Sequence, residues 1–278
     1  MRIVALFVAG WLLPQVGRAT TTPAPTGSLH EVRGTKIYVE ISGAGAPIVF
    51  LHGGLHFFDN NFAPQQAYFS RFGEVVGIDQ RGHGHSPDTP GPYSYREMAE
   101  DTAAVIEQLA LGPVDVVGHS DGAIVGLLLA RYHPALVRRL VISGADLGSG
   151  LTSEKLAQLT RASTVDIAAR LPPMLKNWRE DYGRVSPDGI EHWETLLHKD
   201  WQLWLKPVIL NPAELKQINI PVLVMAGDHD VISAEDTLEI FHGLPHGQLA
   251  ILPATGHGTF LQRPELVNEL IRTFLAEP

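Results

Sequence analysis

The sequence predicts an α/β protein with a doubly wound, mostly parallel sheet, and two alternating patterns support this prediction. The first is a set of short, almost wholly apolar runs, which are typical of strands buried on both faces. The second is a helical periodicity of apolar residues in the intervals between these runs. The apolar runs lie at 47–51, 75–78, 114–117, 140–142, 222–225 and 249–252, and the helical stretches lie at 95–111, 123–132 and 264–275.

Two shorter runs of alternating character precede these strands. They lie at 29–33 and 37–41 and are separated by the sequence Gly-Thr-Lys. Period-two alternation on both sides of a short polar break is typical of a β-hairpin. We therefore expect the sheet to begin with two antiparallel strands before its parallel part.

A helical cap is predicted where the strand pattern stops. Between the strand that ends near Ala145 and the strand that begins near Val222, the sequence lacks buried-strand runs. This interval predicts a cap at 146–217, inserted after the sixth strand of a core domain that comprises 29–145 and 218–278. Four of the five Trp residues fall in the interval, and they either form its core or line a pocket beneath it. These residues are Trp178, Trp193, Trp201 and Trp204.

The N-terminus carries a pattern typical of export. A charged start at Arg2 is followed by an apolar stretch at 3–13 and by small residues ending at Ala19. This order predicts a cleaved signal peptide at 1–19, and hence a periplasmic or secreted protein. The apolar stretch is shorter than the roughly 20 residues that span a bilayer, and an uncleaved anchor or a buried helix are the alternatives. The Thr- and Pro-rich segment 20–28 predicts a disordered leader.

The composition restricts the classes of function. Of the 278 residues, 45% are hydrophobic and 18% are charged, a balance that suits a globular protein with a sizeable core. A net charge of -9 without a cluster of Lys and Arg argues against a nucleic-acid partner. The chain has no Cys, which excludes disulfides, thiolate nucleophiles and Cys-based zinc sites. We expect a small-molecule substrate, no nucleic acid, and no stable membrane insertion after signal cleavage.

The strongest motif is the segment 118–122, Gly-His-Ser-Asp-Gly, which fits the pattern G-x-S-x-G. It lies between the strand at 114–117 and the helix at 123–132, and a serine on such a junction projects at the carboxyl edge of the sheet. The pattern predicts Ser120 as a nucleophile and the backbone N–H of Asp121 as an oxyanion donor at a helix N-terminus. A Gly-rich turn with a serine cap is the alternative.

A serine hydroxyl needs a base that takes its proton and a carboxylate that orients the base. His257, in a Gly-His-Gly turn after the last predicted strand, is the predicted base. Asp230, which ends a Gly-Asp-His-Asp turn after the preceding strand, is the predicted acid. Both turns follow carboxyl ends of strands, where ligands bind in open α/β sheets. Asp146, which follows the strand at 140–142, is the alternative acid, and Asp228 is a predicted turn former.

The second oxyanion donor is predicted in the loop after the strand at 47–51, which reads His-Gly-Gly-Leu. Glycines let the backbone approach a substrate without a Cβ in the way. We expect the N–H of Gly54 to be the donor, with Leu55 as the alternative. His52 is predicted to be a structural residue beneath this loop.

Two histidines, His83 and His85, flank Gly84 and raise the question of a metal pair. The neighbouring sequence lacks the further His and Asp ligands that a dinuclear hydrolytic site requires. We therefore expect no metal site there, and the predicted chemistry requires no cofactor.

These motifs together carry a resemblance: residues 29–278 resemble the α/β-hydrolase superfamily of lidded esterases and lactonases. The resemblance implies the α/β-hydrolase fold, and it implies that Asp79 and Arg81 brace loops near the site. The motifs that carry it are His-Gly-Gly at 52–54, Asp-Gln-Arg-Gly-His-Gly-His-Ser at 79–86, Gly-His-Ser-Asp-Gly at 118–122, Gly-Asp-His-Asp at 227–230 and Gly-His at 256–257.

Within the superfamily, Ser-Asp-Gly at 120–122 and the sequence at 140–146 are most similar to the biphenyl-hydrolase-like and valacyclovir-hydrolase branch. Dehalogenases and epoxide hydrolases of this fold carry Asp as the nucleophile, where this chain has Ser120. Proline iminopeptidases carry the pattern H-G-G-P-G, from which Leu55 and His56 depart.

The expected function is hydrolysis of an ester, lactone or similar carbonyl bond of a small molecule through an acyl-enzyme on Ser120. A cofactor-free acyltransferase or perhydrolase with the same three residues is one alternative, and a non-catalytic small-molecule binder is another. The side chain of Asp121, beside the nucleophile, leads to the further hypothesis of a cationic or amine-bearing substrate.

Overall fold

The computed structural model describes residues 25–147, 163–170, 175–206 and 210–278. Its strands are β1 (Thr26–Val32), β2 (Thr35–Gly43), β3 (Pro47–Leu51), β4 (Glu74–Asp79), β5 (Val114–His119), β6 (Val137–Ser143), β7 (Val222–Gly227) and β8 (Gly247–Leu252). The described strands form one sheet in the order β1-β2-β4-β3-β5-β6-β7-β8. The strands β3 to β8 are mutually parallel, whereas β2 pairs antiparallel with both β1 and β4. The predicted signal peptide at 1–19 lies outside the described residues.

Helices cover both faces of this sheet. The helices are α1 (Phe58–Phe69), α2 (Tyr95–Gln108), α3 (Asp121–Tyr132), α4 (Thr164–Arg170), α5 (Leu175–Val185), α6 (Trp193–Trp204), α7 (Pro212–Leu215), α8 (Ala234–Gly243), α9 (Thr259–Gln262) and α10 (Pro264–Leu275). Residues of α2, α3 and α8 pack in one hydrophobic core, and residues of α1 and α10 pack in the other. Successive strand residues face opposite cores, so Val116 belongs to the first core and Val117 to the second. The predicted doubly wound α/β fold class is confirmed.

The predicted cap interval contains helices. The described helices α4 to α7 all lie between β6 and β7, which are neighbouring parallel strands of the sheet. The chain therefore leaves the sheet at the carboxyl end of β6, forms these helices, and returns to the adjacent strand. No helix among the described residues is long and apolar enough to cross a membrane.

The first hairpin begins earlier than the sequence predicts. Thr26 pairs with Ile41, so residues 26–28, which the prediction assigned to a disordered leader, belong to β1. The reason lies in the turn: Arg33 and Gly34 both adopt positive φ angles, of 52° and 79°, as two-residue hairpin turns require. This tight turn sets a register in which residues 26–28 lie opposite residues 39–41 of β2 and pair with them.

Strand β8 is less buried than its apolar sequence predicts. Leu252 is buried against α10, but Ile251 is 43% exposed. The cause is its position, because β8 lies at the edge of the sheet and, among the described strands, pairs with β7 alone. An apolar run therefore predicted the strand correctly but not its burial on both faces.

Candidate active site

The predicted nucleophile lies on a sharp turn between β5 and α3. Ser120 has φ 52° and ψ -116°, a conformation that costs a non-glycine residue on the order of 1–3 kcal/mol. Glycines make the turn possible, because a Cβ on Gly118 would lie 2.3 Å from the carbonyl oxygen of Gly122. A Cβ on Gly122 would lie 1.9 Å from the carbonyl oxygen of Leu51. The packing of this turn against β3 thus holds the strained serine in place.

Three predicted residues meet at the carboxyl edge of the sheet. The Oγ of Ser120 lies 2.9 Å from Nε2 of His257, and Nδ1 of His257 lies 2.7 Å from Oδ1 of Asp230. The Asp230 carboxylate also accepts a hydrogen bond from the N–H of Ile232 at 2.9 Å, and its side chain is 1% exposed. Because a carboxylate only accepts, Nδ1 of His257 carries the proton and Nε2 presents its lone pair to the serine hydroxyl.

The structure places Asp230, and not the alternative Asp146, at Nδ1 of His257. Asp228 has a different partner, since its Oδ1 accepts a hydrogen bond from the N–H of Thr255 at 3.0 Å. Gly144, just after β6, lies against the imidazole: it has φ +67°, and a Cβ there would lie 2.7 Å from Cε1 of His257. The end of β6 therefore supplies a close packing surface for the histidine.

The backbone N–H groups of Gly53 and Leu55 in the loop after β3 have acceptors, whereas that of Gly54 between them does not among the described residues. The N–H of Gly53 donates to Oδ1 of Asn61 at 2.9 Å, and the N–H of Leu55 donates to Oδ2 of Asp200 at 2.8 Å. Among the described residues, the N–H of Gly54 has no such acceptor. The backbone hydrogen bonds thus favour Gly54 over Leu55 as the donor in this loop. The N–H of Asp121 lies in the first turn of α3, where helical geometry leaves it without a partner.

A chain of hydrogen bonds joins this loop to the histidine turn. Nε2 of His119 donates to the carbonyl oxygen of His257 at 2.9 Å, so its Nδ1 is the acceptor and lies 3.1 Å from the Asn61 amide. Burial lowers the pKa of His119 well below its usual value. The ring is therefore neutral and carries one proton. Asn61 and His119 were not identified from the sequence as site residues, although His119 lies within the motif.

The Asp121 side chain is buried and already paired. Its carboxylate accepts hydrogen bonds from the Tyr95 hydroxyl at 2.8 Å and from the Trp204 indole N–H at 2.9 Å. Burial, followed by the neighbouring charge of Asp200, raises the pKa of Asp121 to about 6. A carboxylate that is 8% exposed and held by two protein donors is poorly placed to meet a cationic substrate. The contacts of Asp121 thus argue against that hypothesis.

The remaining histidines near the loop make structural hydrogen bonds. His52 donates from Nδ1 to the carbonyl oxygen of Gly53 at 2.8 Å and accepts the N–H of Gln80 at 2.9 Å, and burial lowers its pKa to about 3. His83 pairs with Asp200 and His85 with Asp79. Among the described residues, no group of three or more His, Asp or Glu residues could hold a metal ion.

The residues of the predicted structural segment brace loops. Asp79 accepts the N–H of Phe58 at 2.8 Å, which fixes the start of α1, and Arg81 pairs with Asp101 of α2 at 2.8 Å. Asp101 is 1% exposed, so this ion pair is buried. Asp79 thus connects the end of β4 to α1, and Arg81 connects the loop after β4 to α2.

The cap tryptophans divide between the interior of the cap and contacts with the site. Trp193 is 3% exposed and packs on Tyr182 inside the cap, with ring centroids 5.8 Å apart. Trp204 instead reaches the Asp121 carboxylate, and Trp178 packs on His56 with centroids 4.4 Å apart. His56 belongs to the loop after β3 and was not identified from the sequence as a site residue.

A family model described as the alpha/beta hydrolase family matches residues 48–270. This match covers most of the sequence and includes the three residues that meet at the sheet edge. The chain belongs to the α/β-hydrolase family. The family assignment agrees with the resemblance seen in the sequence motifs and with the strand order of the sheet.

Relatives of this α/β hydrolase include proteins named for hydrolysis. An (E)-2-((N-methylformamido)methylene)succinate hydrolase from Acinetobacter baylyi is 25% identical over 246 residues, covering 84% of this chain and 91% of the relative. An esterase from Exiguobacterium antarcticum is 28% identical with a TM-score of 0.73, covering 91% of this chain and 100% of that one. An N-acyl homoserine lactone degrading enzyme is 27% identical with a TM-score of 0.73, covering 89% and 100%. The family assignment and these similarities identify this α/β hydrolase as a hydrolytic enzyme.

Proposed function

We propose that this α/β hydrolase is a serine hydrolase that cleaves an ester, lactone or similar carbonyl bond of a small molecule through an acyl-enzyme on Ser120. The observation that carries the proposal is the hydrogen-bonded series Ser120, His257 and Asp230 at the carboxyl edge of the sheet. The similarity to an esterase and to a lactone-degrading enzyme supports the same bond class.

The first stage is formation of the acyl-enzyme. Nε2 of His257 takes the proton of the Ser120 hydroxyl as Oγ bonds to the carbonyl carbon of the substrate. The resulting imidazolium is stabilised by the Asp230 carboxylate at 2.7 Å, which does not itself need to gain the proton. His257 then gives the proton to the leaving oxygen or nitrogen as its bond to the carbonyl carbon breaks.

Negative charge that develops on the carbonyl oxygen needs donors that are already in place. The N–H groups of Gly54 and Asp121 are the proposed donors, and the N-terminus of α3 adds its positive dipole end. Each donor of this kind is worth about 3 kcal/mol in other enzymes. In the second stage, water gives a proton to His257 as its oxygen bonds to the acyl carbon. His257 then returns that proton to Oγ of Ser120 as the acyl–Oγ bond breaks, which releases the acid and the free serine.

The test uses the full chain with p-nitrophenyl acetate and butyrate, together with a fluorophosphonate probe read by intact mass. We expect turnover and a single label, both absent in Ser120→Ala. Ser143→Ala is the matched control, because this buried serine ends the adjacent strand and bonds Thr259 at 2.9 Å instead of His257. That variant is expected to retain the label and turnover.

Each outcome separates the alternatives. Folded protein that neither turns over nor takes the label contradicts the mechanism and favours a small-molecule binder. Label without hydrolysis, combined with product from added alcohol or hydrogen peroxide, favours an acyltransferase or perhydrolase that uses the same acyl-enzyme. A label that persists in Ser120→Ala places the nucleophile elsewhere.

A further inference from the structure

Helix α6 of the cap contacts both segments that supply the proposed oxyanion donors, the loop after β3 and the start of α3. Asp200 and Trp204 lie four residues apart on α6, and side chains at this spacing share a helix face. Asp200 is fully buried and bonds the loop after β3, whereas Trp204 bonds the side chain of Asp121 at the start of α3. The two contacts reach the site from a part of the chain that is remote in sequence.

Asp200 determines the orientation of the peptide that follows Gly54. Its Oδ2 accepts the N–H of Leu55 at 2.8 Å and faces Nε2 of His83 at 3.0 Å. Leu55 has φ 61°, a left-handed conformation that a β-carbon disfavours. The loop thus holds Leu55 in an unfavourable backbone conformation. This conformation directs the N–H of Leu55 at the cap, where the buried Asp200 carboxylate accepts it.

His83 is held as a cation beneath the same carboxylate. Its Nδ1 donates to the carbonyl oxygen of Arg81 at 3.0 Å and its Nε2 donates to Asp200, so both ring nitrogens carry protons. The imidazolium offsets the charge of Asp200 in a site that water does not reach. Because the ion pair fixes the carboxylate, the acceptor for Leu55 is held rigidly.

Trp204 fixes the other side of the site. Its indole N–H donates to both carboxylate oxygens of Asp121, at 2.9 and 3.1 Å, and the ring lies on Gly54. A Cβ on Gly54 would lie 2.7 Å from Cζ2 of Trp204 and 2.6 Å from Oδ2 of Asp121. The two proposed donor residues and the indole are therefore in mutual contact.

We propose that Asp200 and Trp204 are positioning residues of the oxyanion hole, so that helix α6 is part of the catalytic apparatus and not only a cover over it. The inference rests on the proposed function and adds to it the elements that hold the two donors. Without the Asp200 contact, the Leu55 peptide is free to rotate, and the N–H of Gly54 is no longer directed at the substrate oxygen.

The same helix offers a matched control. Lys199, next to Asp200, bonds the Asp88 carboxylate at 2.6 Å, and His192 bonds that carboxylate at 2.8 Å. These contacts also join the cap to the core, but they lie at the loop before α2 and not at a donor residue. A substitution of Lys199 therefore weakens the attachment of the cap but leaves the N–H of Leu55 with its acceptor.

The experiment compares Asp200→Ala, Asp200→Asn, Trp204→Phe and Lys199→Met in the full chain, with active sites counted by fluorophosphonate labelling. We expect Asp200→Ala and Trp204→Phe to lower kcat per active site by about tenfold to a hundredfold with KM within about threefold. Binding of a phenyl trifluoromethyl ketone, which forms an oxyanion on the enzyme, should weaken by the same factor. Asp200→Asn should recover most of kcat, because its amide oxygen still accepts from Leu55.

Hydrogen exchange of a peptide that covers residues 52–57 gives a measurement independent of turnover. Exchange is expected to accelerate in Asp200→Ala and to remain as in the unaltered chain in Lys199→Met. Unchanged exchange in Asp200→Ala overturns the proposal, and so does a kcat loss in Lys199→Met equal to that in Asp200→Ala. If the unaltered chain shows neither label nor turnover, the proposed function fails, while the exchange rates still decide whether Asp200 holds the loop.

Discussion

The ring of His119 donates a hydrogen bond from Nε2 to the backbone carbonyl oxygen of His257 at 2.9 Å. The residue before Ser120, the proposed nucleophile, thus holds the turn that carries His257, the proposed base. Nδ1 of the same ring lies 3.1 Å from the Asn61 amide, whose Oδ1 also accepts the N–H of Gly53. Three loops that converge on the site from different strands are therefore connected through one neutral imidazole.

Replacement of His119 tests this connection. His119→Phe keeps a ring of similar size beside Phe260 but removes both hydrogen bonds, including the one that joins the ring to the His257 carbonyl. We expect kcat to fall by about tenfold to a hundredfold, since a displacement near 1 Å of a reacting group can cost that much. His119→Gln, which retains a donor, should recover part of the loss. Equal kcat for His119→Phe and the unaltered protein, measured with p-nitrophenyl butyrate, would refute the connection.

The identity of the acid can be decided by two amide substitutions. Asp230→Asn removes the charge that orients and stabilises His257, and we expect kcat to fall by about a thousandfold to ten-thousandfold. Asp146→Asn is the matched control and is expected to remain within about threefold of the unaltered enzyme. The reverse ranking of the two variants, measured as kcat per labelled site, would show that Asp146 is the acid.

We predict that position 144 requires glycine, because this residue packs against the His257 imidazole. A Cβ there would lie 2.7 Å from Cε1 of His257 and 3.4 Å from Oδ2 of Asp230, and the residue has φ +67°. Gly144→Ala should therefore lower kcat by at least about tenfold in addition to destabilising the fold.

The control for this variant is Gly34→Ala, at a hairpin turn with φ +79° and open space around the position of a Cβ. Ala at this position adopts the same unfavourable positive φ, which costs about 1–2 kcal/mol, but meets no steric clash. We expect the control to lower the free energy of unfolding in urea with kcat unchanged. A Gly144→Ala enzyme with normal kcat would mean that the histidine turn can move aside.

The parallel strands and the three residues that meet at the sheet edge could be predicted because each has a local signal. Apolar runs marked β3 to β8, and G-x-S-x-G with two polar turns marked Ser120, Asp230 and His257. Helix α1 lacked such a signal, because its buried face carries Asn61 and Gln65 and its sequence contains Pro64. These two amides find partners only in the folded protein, where Gln65 bonds the carbonyl oxygen of Phe260 and the Asn268 side chain.

The contacts of the cap with the donors could not be predicted for a related reason. Asp200 and Leu55 are separated by 145 positions, and nothing in the sequence around either residue indicates the other. A single Asp on a helix rich in Trp is as compatible with a solvated face as with a buried acceptor. The solvated and the buried cases differ only in whether α6 packs over the sheet edge, and that placement depends on tertiary packing.

The ion pair of His83 with Asp200 makes stability depend on pH in a definite direction. Burial opposes the charge on His83, but the Asp200 carboxylate outweighs it and raises the pKa of His83 to about 9. The folded state therefore holds a proton that the unfolded chain releases near pH 6.5. The stabilisation is complete below about pH 6.5 and is lost as the pH rises towards 9, by on the order of 3 kcal/mol.

Urea unfolding at pH 6, 7, 8 and 9 measures this dependence. His83→Gln removes the titrating group, so its free energy of unfolding should fall less between pH 6 and 9 than that of the unaltered protein. His242→Gln, which removes an exposed histidine near the end of α8, should retain the original slope. If all three proteins lose stability equally over this range, His83 is not protonated in the folded state, and Asp200 must hold the Leu55 peptide without a buried cation beside it.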